Sequence, residues 1–367
     1  MKKSSLTKIE IPKQFKKVLA FQGGGALGAY QLGVFKALYE KRIEPDWVIG
    51  TSIGAINAGI ITGNPPELRL KKLQEFWDQL QNKNRTLAEK NKSLFNFMTV
   101  SYGVKGFFTP SFSQWVNPNL PLGIEKAAYY STDPLRSTLN ELIDIDYLNS
   151  KKVRFTVGAV NANSGEMRYF DSHKEIIELD HILASGALPP AFPAIRIDGE
   201  PYWDGGIFSN TPIEAVLDDT PRNSSIIFSV QLWNPVSEEP KTINEVLSKQ
   251  KDIQFSSRDH FLDKEKKIHR LRHTIRQLTS LMSEEEKKDP RVQELMTWGC
   301  ESIMHIIHLT IDRLDGEDQY KDIDFSTQGI ESRSQTGYKE TTRAIESEIW
   351  NAKHDEHEGI HIHTQFR

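Results

Sequence analysis

The chain has 367 residues, 38% of them hydrophobic, and a net charge of −4. This length suits one large α/β domain with or without an appendage, and the near-balanced charge argues against a nucleic-acid partner. The single cysteine, Cys300, excludes an intrachain disulfide and is interpreted as a small buried hydrophobe. No apolar run is long enough for a signal peptide or a membrane span. We expect a soluble, cytoplasmic protein. Export by a route that needs no N-terminal signal stays open as an alternative.

The first 65 residues alternate short apolar strands with helices. After a polar segment at 1–16, residues 18–21 predict a buried strand that stops at three glycines. Helical spacing follows at 26–39, a second strand at 47–49, and a small-residue helix at 55–63. This alternation is typical of a parallel α/β sheet.

The middle of the chain is less regular. A helix is predicted at 68–80, and strands at 153–160, 167–170 and 226–233, with a helix starting at 181. The stretch 94–123 is an irregular cap over a pocket or a loop that packs on the core, and both alternatives stay open. Its aromatic residues are Phe95, Phe97, Tyr102, Phe107, Phe108, Phe112 and Trp115.

Beyond residue 240 the pattern becomes mainly helical. A helix at 261–282 carries apolar residues at a and d heptad positions, and another follows at 292–300. A strand at 303–311 and an amphipathic helix at 334–352 complete the chain. The cations of the segment 264–276 are Lys264, Lys266, Lys267, Arg270, Arg272 and Arg276. Such a helix lies on an anionic membrane, or packs its apolar stripe on the core or on a second copy.

The segment Gly50-Thr51-Ser52-Ile53-Gly54 matches the G-x-S-x-G pattern between a strand and a helix. A nucleophilic serine needs this strained turn, and the flanking glycines avoid collisions with neighbouring backbone. We therefore predict that Ser52 is a nucleophile. The alternative is a tight structural turn with a capping serine.

A glycine-rich loop, Gly23-Gly24-Gly25-Ala26-Leu27-Gly28, ends the first strand. Its successive amides can converge on one oxyanion, and each such donor lowers an acyl-transfer barrier by about 3 kcal/mol. The same letters also satisfy the dinucleotide-binding pattern, with Asp46 as the acid about 20 residues on. A nucleotide-dependent oxidoreductase is therefore a rival interpretation.

Asp204 is the best candidate for the base that the serine needs, since Gly205 and Gly206 allow it to approach another loop. A catalytic histidine is the weaker alternative, with the candidates His260, His269, His273, His305 and His308. The C-terminal histidines are interpreted as part of a polar tail, and no metal ligand is assigned among His354, His357, His361 and His363.

Four blocks in this order resemble the patatin-like phospholipase family: GGGALG at 23–28, GTSIG at 50–54, ASGALPPAF at 184–192 and DGG at 204–206. The resemblance covers roughly residues 16–235. The region beyond 240 is similar to the helical extension of a bacterial subgroup.

The resemblance implies a three-layer α/β/α fold with a mainly parallel central sheet and a C-terminal helical extension. The expected divisions are a polar segment at 1–16, a catalytic domain at 17–235, the extension at 236–352 and a His-rich tail at 353–367. It also implies a Ser52–Asp204 dyad without histidine, and no cofactor or metal is assigned. The backbone amides of the segment 23–26 would form the oxyanion hole.

The implied reaction is hydrolysis of lipid acyl esters through an acyl-serine. Gly28, Gly50, Gly54, Gly205 and Gly206 would shape the supporting turns. The family commonly has Lys or Arg where this chain has Leu27. A catalytically weak membrane- or granule-bound scaffold therefore stays open beside the lipid hydrolase. The expected partners are an acyl-ester substrate, peripheral membrane contact through 264–276, or further copies of the chain, but no nucleic acid.

Overall fold

A central sheet of nine strands, flanked by helices on both sides, organises the computed structural model. The described residues are 11–81, 92–111, 117, 119–256, 259–312, 317–352, 355 and 358–364. The strands of this sheet are β1 (Lys16–Phe21), β2 (Trp47–Gly50), β5 (Arg154–Asn161), β6 (Met167–Asp171), β7 (Ile195–Ile197), β8 (Glu200–Asp204), β9 (Ser225–Gln231), β10 (Met304–Thr310) and β11 (Ile360–His363). Their order in the sheet is β11-β10-β9-β1-β2-β5-β8-β7, with β6 also paired to β5.

Six of these strands run parallel, whereas β6 and β8 run antiparallel to β5, and β7 runs antiparallel to β8. A separate two-stranded ribbon pairs β3 (Thr109–Pro110) with β4 (Tyr130–Ser131). The predicted mainly parallel α/β/α architecture is therefore confirmed. Because helices cover both faces of the sheet, its central strands are continuous apolar runs such as Val18–Phe21.

Twelve α-helices are described, and several begin or end close to the sequence prediction. Along these ranges, none combines the length and the apolar character that crossing a bilayer would require. They are α1 (Ala29–Glu40), α2 (Ile53–Thr62), α3 (Pro66–Leu80), α4 (Lys92–Tyr102), α5 (Asp133–Leu142), α6 (Ile145–Asn149), α7 (Leu179–Ser185), α8 (Ile213–Leu217), α9 (Ile243–Phe255), α10 (Asp259–Ser280), α11 (Pro290–Trp298) and α12 (Thr327–Glu346).

The segment beyond residue 235 belongs to the central sheet as well as to the helical layers. β10 pairs with β9 along its whole length, and α12 packs closely on α1. At that helix contact a side chain on Gly33 would collide with the Ser334 carbonyl, and one on Gly337 with the Tyr30 carbonyl. The segment therefore contains the strand predicted at 303–311 as well as helices, and it covers one edge of β9 and one face of α1.

The prediction of a polar His-rich tail is wrong for residues 358–364. β11 pairs in parallel with β10, and Ile360 is fully buried. The alternation Ile360-His361-Ile362-His363 has the period of a strand, and the free edge of β10 supplies its partner. His305 of β10 stacks between His361 and His363. Cys300, expected to be buried, is half-buried beside Ser302.

Candidate active site

Ser52 lies on the sharp turn between β2 and α2. Its backbone has φ 56° and ψ −125°, a conformation that a residue with a side chain adopts only under strain. The turn also needs its glycines. A Cβ on Gly50 would lie 2.3 Å from backbone atoms of Gly54, and a Cβ on Gly54 would lie 2.4 Å from the Phe21 carbonyl oxygen. The local geometry is that of a nucleophile elbow.

Ser185 supports this turn, and sequence reasoning missed it. The Ser52 amide donates to the Ser185 Oγ at 2.9 Å, and the Ser185 hydroxyl donates to the Gly158 carbonyl at 2.6 Å. Ser185 is fully buried at the end of α7. It thereby fixes the turn to β5. The signal was present, because Ser185 belongs to the block ASGALPPAF.

Asp204 lies at the end of β8 and faces Ser52. Burial raises the pKa of its carboxyl group to about 7, while hydrogen bonds from the Ser52 hydroxyl and the Gly206 amide lower that pKa. The Gly206 amide donates to Oδ1 at 2.7 Å. A side chain on Gly205 would collide with the Gly158 carbonyl, so glycine allows the aspartate loop to approach β5. The structure thus brings the two predicted residues together.

The glycine-rich loop forms a short 3-10 helix, Gly25–Gly28, after β1. The amides of Gly24, Gly25 and Ala26 come before the Leu27 amide, which donates to the Gly24 carbonyl as the first hydrogen bond of that helix, and no side chain among the described residues caps them. The Gly23 amide donates to the Asn210 carbonyl at 3.4 Å. Ile53 would lie 2.6 Å from a Cβ on Gly28, so this glycine lets the loop pack against the helix that follows Ser52.

Asn210 and Trp233 hold the glycine-rich loop in place, and neither was predicted. Both donate to the Gly23 carbonyl, from Asn210 Nδ2 at 3.1 Å and from Trp233 Nε1 at 2.8 Å. Asn210 follows the DGG block by four residues, and Trp233 lies two residues after the end of β9. Only the sheet order brings these positions beside β1, so their roles have no local sequence signal.

The C-terminal segment also reaches the loop. Gly25 has φ +54°, and a Cβ at this position would lie 2.3 Å from the Asp322 carbonyl oxygen. The Asp322 carboxylate pairs with the Lys251 ammonium at 2.8 Å. Residues more than 290 positions apart therefore shape the same loop.

A cavity of about 230 Å³ opens onto Ser52, Asp204 and the glycine-rich loop. Most of its wall is apolar and aromatic. The rings of Phe107, Phe108, Tyr130 and Phe192 contact one another edge-on or tilted. Of the aromatic stretch at 94–123, Phe107 and Phe108 line this cavity and also pack in the hydrophobic core, while Phe112 and Trp115 lie outside the described residues. Other wall residues are Ile53, Ile56, Val100, Leu188 and Phe325.

Among the described residues that line this cavity there is no histidine. His269 and His273 are buried on α10, and His305 and His308 lie on β10, away from Ser52. His260 lies in the first turn of α10. Within the described residues, His, Cys, Asp and Glu side chains nowhere form a group of three that could hold a metal ion. The geometry therefore favours Asp204 as the proton acceptor of Ser52.

The dinucleotide interpretation fails at Asp46. This residue precedes β2, and its carboxylate accepts the Lys17 amide at 2.8 Å near the start of β1. The glycine-rich loop lies at the other ends of these parallel strands. A ribose-binding acid must lie at the same sheet edge as the phosphate loop, so Asp46 cannot serve.

Leu27 is buried and packs in the core. It contributes to a small separate cavity of about 20 Å³, whose wall also includes Asp252, Glu317 and Lys321. The missing cation at position 27 therefore does not leave a gap in the wall of the larger cavity.

Comparison with known proteins gives two family matches. A model described as patatin-like phospholipase matches residues 19–217, and one described as patatin phospholipase matches residues 253–357. The chain is 27% identical over 208 residues to the cGAMP-activated phospholipase of Pseudomonas aeruginosa, covering 53% of this chain and 54% of that protein. It is 31% identical over 94 residues to a patatin-like phospholipase domain-containing protein of Caenorhabditis elegans, covering 24% and 7%. The chain thus spans about half of the first relative and far less of the second.

Two solved structures are also similar. VipD from Legionella pneumophila matches with a TM-score of 0.39 and 14% identity, over 91% of this chain and 67% of that one. The type III effector ExoU matches with a TM-score of 0.34 and 12% identity, over 91% and 53%.

Proposed function

Because this chain belongs to the patatin-like phospholipase family, we propose that it hydrolyses acyl esters of lipids with Ser52 as nucleophile and Asp204 as base. The observation that carries the proposal is the contact between the Ser52 hydroxyl and the buried Asp204 carboxylate, beside the amides of Gly24–Ala26. No third side chain is needed, since a carboxylate with a pKa of about 7 can accept a proton near neutral pH.

In the first half of the reaction, Asp204 takes the proton of the Ser52 hydroxyl as Oγ attacks the acyl carbonyl carbon. The negative charge on the carbonyl oxygen is stabilised by the free amides at the start of the 3-10 helix. The tetrahedral intermediate then expels the alcohol, which leaves with the proton that Asp204 held. An acyl ester on Ser52 remains.

In the second half, water replaces the alcohol. Asp204 removes a proton from the water as the water oxygen attacks the acyl-serine carbonyl carbon, and the same amides stabilise the oxyanion. Collapse releases the fatty acid and returns the proton to Ser52 Oγ. Both halves use one carboxylate in alternating protonation states.

The cavity wall supports a lipid acyl chain as the group next to the ester. Aromatic and aliphatic side chains dominate it, and the charged side chains among its described lining residues are Asp204 and Asp322. Burying an alkyl chain there is favourable by about 0.8 kcal/mol per methylene group. A polar headgroup would remain at the mouth.

Lipid contact is best supported around the mouth of the cavity. Three segments that line it also expose large apolar side chains: Phe97 and Tyr102 on α4, Ile207 and Phe208 after Asp204, and Ile253 on α9. Contact with an anionic lipid surface through the basic helix at 264–276 has less support. That helix runs away from the mouth of the cavity toward the opposite ends of the strands, where Arg272 contacts Cys300 just before β10.

The test is labelling with a serine-reactive fluorophosphonate, followed by hydrolysis of a panel of phospholipids, lysophospholipids and glycerides. Wild type should be labelled and active, and Ser52→Ala should be neither. Ser164→Ala is the matched control, since this serine is exposed on the turn between β5 and β6. A folded wild type that is not labelled would favour the catalytically weak scaffold instead.

A further inference from the structure

Helix α10 exposes the apolar stripe that its sequence places at heptad positions. Leu271 is 64% exposed and Leu278 is 60% exposed, while Ile275 and Met282 are half-buried. An a/d stripe of this kind is the surface with which one helix packs against another. Within the described part of the chain, its outer side is left to solvent.

The inner face of the same helix is polar. Glu265, His269 and His273 are buried against the sheet layer, and His273 Nε2 contacts the Ser302 carbonyl at 2.9 Å. Leu262 anchors the first turns in the core. The interpretation in which the stripe packs on the chain's own core therefore holds for Phe261 and is wrong for Ile268, Leu271 and Leu278. A helix that buries its polar side and exposes its heptad side needs another partner for the latter.

Helix α11 folds back on α10 to form a hairpin, residues 271–298, and leaves Leu271 and Leu278 more than half exposed. All of α11 is described, and it buries none of its residues. Leu281, Leu295 and Trp298 add exposed apolar area to the hairpin. The exposed heptad side chains and these three residues all belong to the same hairpin, so exposed apolar side chains are concentrated there.

The hairpin lies near the start of β10, at the end of the strands opposite to the cavity. Near the cavity, the Phe255 carbonyl at the end of α9 accepts from Gln22 beside the glycine-rich loop. At the other end, the Arg272 carbonyl accepts the Cys300 amide, just before β10 begins. Helix α10 begins four residues after Phe255, and its 22 residues are about 33 Å long. A lipid layer seated on the hairpin would therefore be far from Ser52.

We propose that the hairpin is a self-association surface, on which two copies of this chain pair their α10 helices antiparallel. The a and d side chains of the two stripes would interdigitate around Ile275 and Leu278. Such a contact uses the same patch on both copies and closes with two-fold symmetry at a dimer.

Charge complementarity specifies the second copy and the antiparallel direction. Residues 264–272 hold five cations and one carboxylate, whereas residues 283–289 hold four carboxylates and two cations. Helix α10 ends at Ser280, so antiparallel pairing centred near 276 brings residues 272–280 of the two helices together. The acidic turn that follows each helix would then lie beside the basic segment of the other copy. Parallel pairing would instead align cations with cations. Opposite charges flanking a heptad seam set partner choice and orientation in coiled coils.

The experiment measures the mass of the full chain by analytical ultracentrifugation. Wild type should sediment near twice the 42.0 kDa chain mass at micromolar concentration, and Leu271→Asp with Leu278→Asp should sediment as a monomer. Both side chains are exposed, so the variant should stay folded and should keep its hydrolysis of a soluble ester. Ile243→Asp is the control, since this residue is 80% exposed on α9, outside the hairpin, and should leave the dimer intact.

A charge exchange tests the direction. Lys264→Glu with Lys267→Glu, and separately Glu284→Lys with Glu285→Lys, should each weaken self-association at least tenfold, and an equal mixture of the two should restore dimers. A wild-type monomer at 50 µM would overturn the proposal. If the binding of that monomer to anionic vesicles is also lost in the Leu271→Asp, Leu278→Asp variant, the hairpin is a lipid contact instead.

Discussion

Replacing Asp204 by Asn should abolish activity and at the same time stabilise the fold. Asn has the same shape, its Oδ1 can still accept the Gly206 amide, and its Nδ2 can donate to the Ser52 oxygen. It cannot accept the proton of the serine hydroxyl, so kcat/KM should fall at least about a hundredfold.

The stabilisation follows from the raised pKa. Burial moves the pKa of the Asp204 carboxyl group from 3.8 to about 7. Above pH 7 the group is charged in both the folded and the unfolded state, and the folded state bears the cost of the buried charge. A difference of about three pKa units corresponds to about 4 kcal/mol. Removing the charge should raise the free energy of unfolding by an amount of this order.

The gain should depend on pH with a definite sign. As the pH falls from 7 toward 4, folded wild type binds a proton that the unfolded chain does not, so the cost of the buried charge disappears. Urea unfolding at pH 8 and pH 4.5 should therefore show a stabilised Asp204→Asn variant at the higher pH and almost equal stabilities at the lower. Asp198→Asn, on an exposed side chain, is the control. A variant that is less stable than wild type at pH 8, or that keeps a tenth of the activity, would refute this reasoning.

Three further outcomes follow from the site. The kcat/KM of wild type on a soluble ester should fall about tenfold per pH unit below pH 7, since only ionised Asp204 is a base, and a flat profile between pH 5 and 7 would contradict this. Gly25→Ala should lower kcat up to about a hundredfold with little change in KM, because its Cβ would collide with the Asp322 carbonyl. Gly165→Ala, with a similar φ but open space, should be nearly silent in the same steady-state assay. Phe108→Ala should shift the preference in a chain-length series toward bulkier acyl groups and lower the free energy of unfolding by about 3–5 kcal/mol, and an unchanged series would argue against its place in the acyl pocket.

The strained turn at Ser52 and the position of the glycine-rich loop after β1 could be predicted from the sequence, because each is marked by glycines within a few residues of one another. Ser52 needs a strained turn, and Gly50 and Gly54 are the residues that allow one. The strand before it and the helix after it follow from apolar spacing alone. Asp204 was identified by its position before two glycines, and its raised pKa required the burial that only the fold provides.

What the sequence could not determine is which distant segments meet. Asn210, Trp233 and Asp322 contact the glycine-rich loop because β9 pairs with β1 and because the C-terminal segment crosses above it, and no local pattern encodes either pairing. The heptad stripe of α10 is the converse case. Its period predicted a helix and the face that would pack against another helix. Only the tertiary structure decided that the polar face lies against the core. Spacing along a helix specifies which residues share a face, whereas the rest of the chain decides what that face meets.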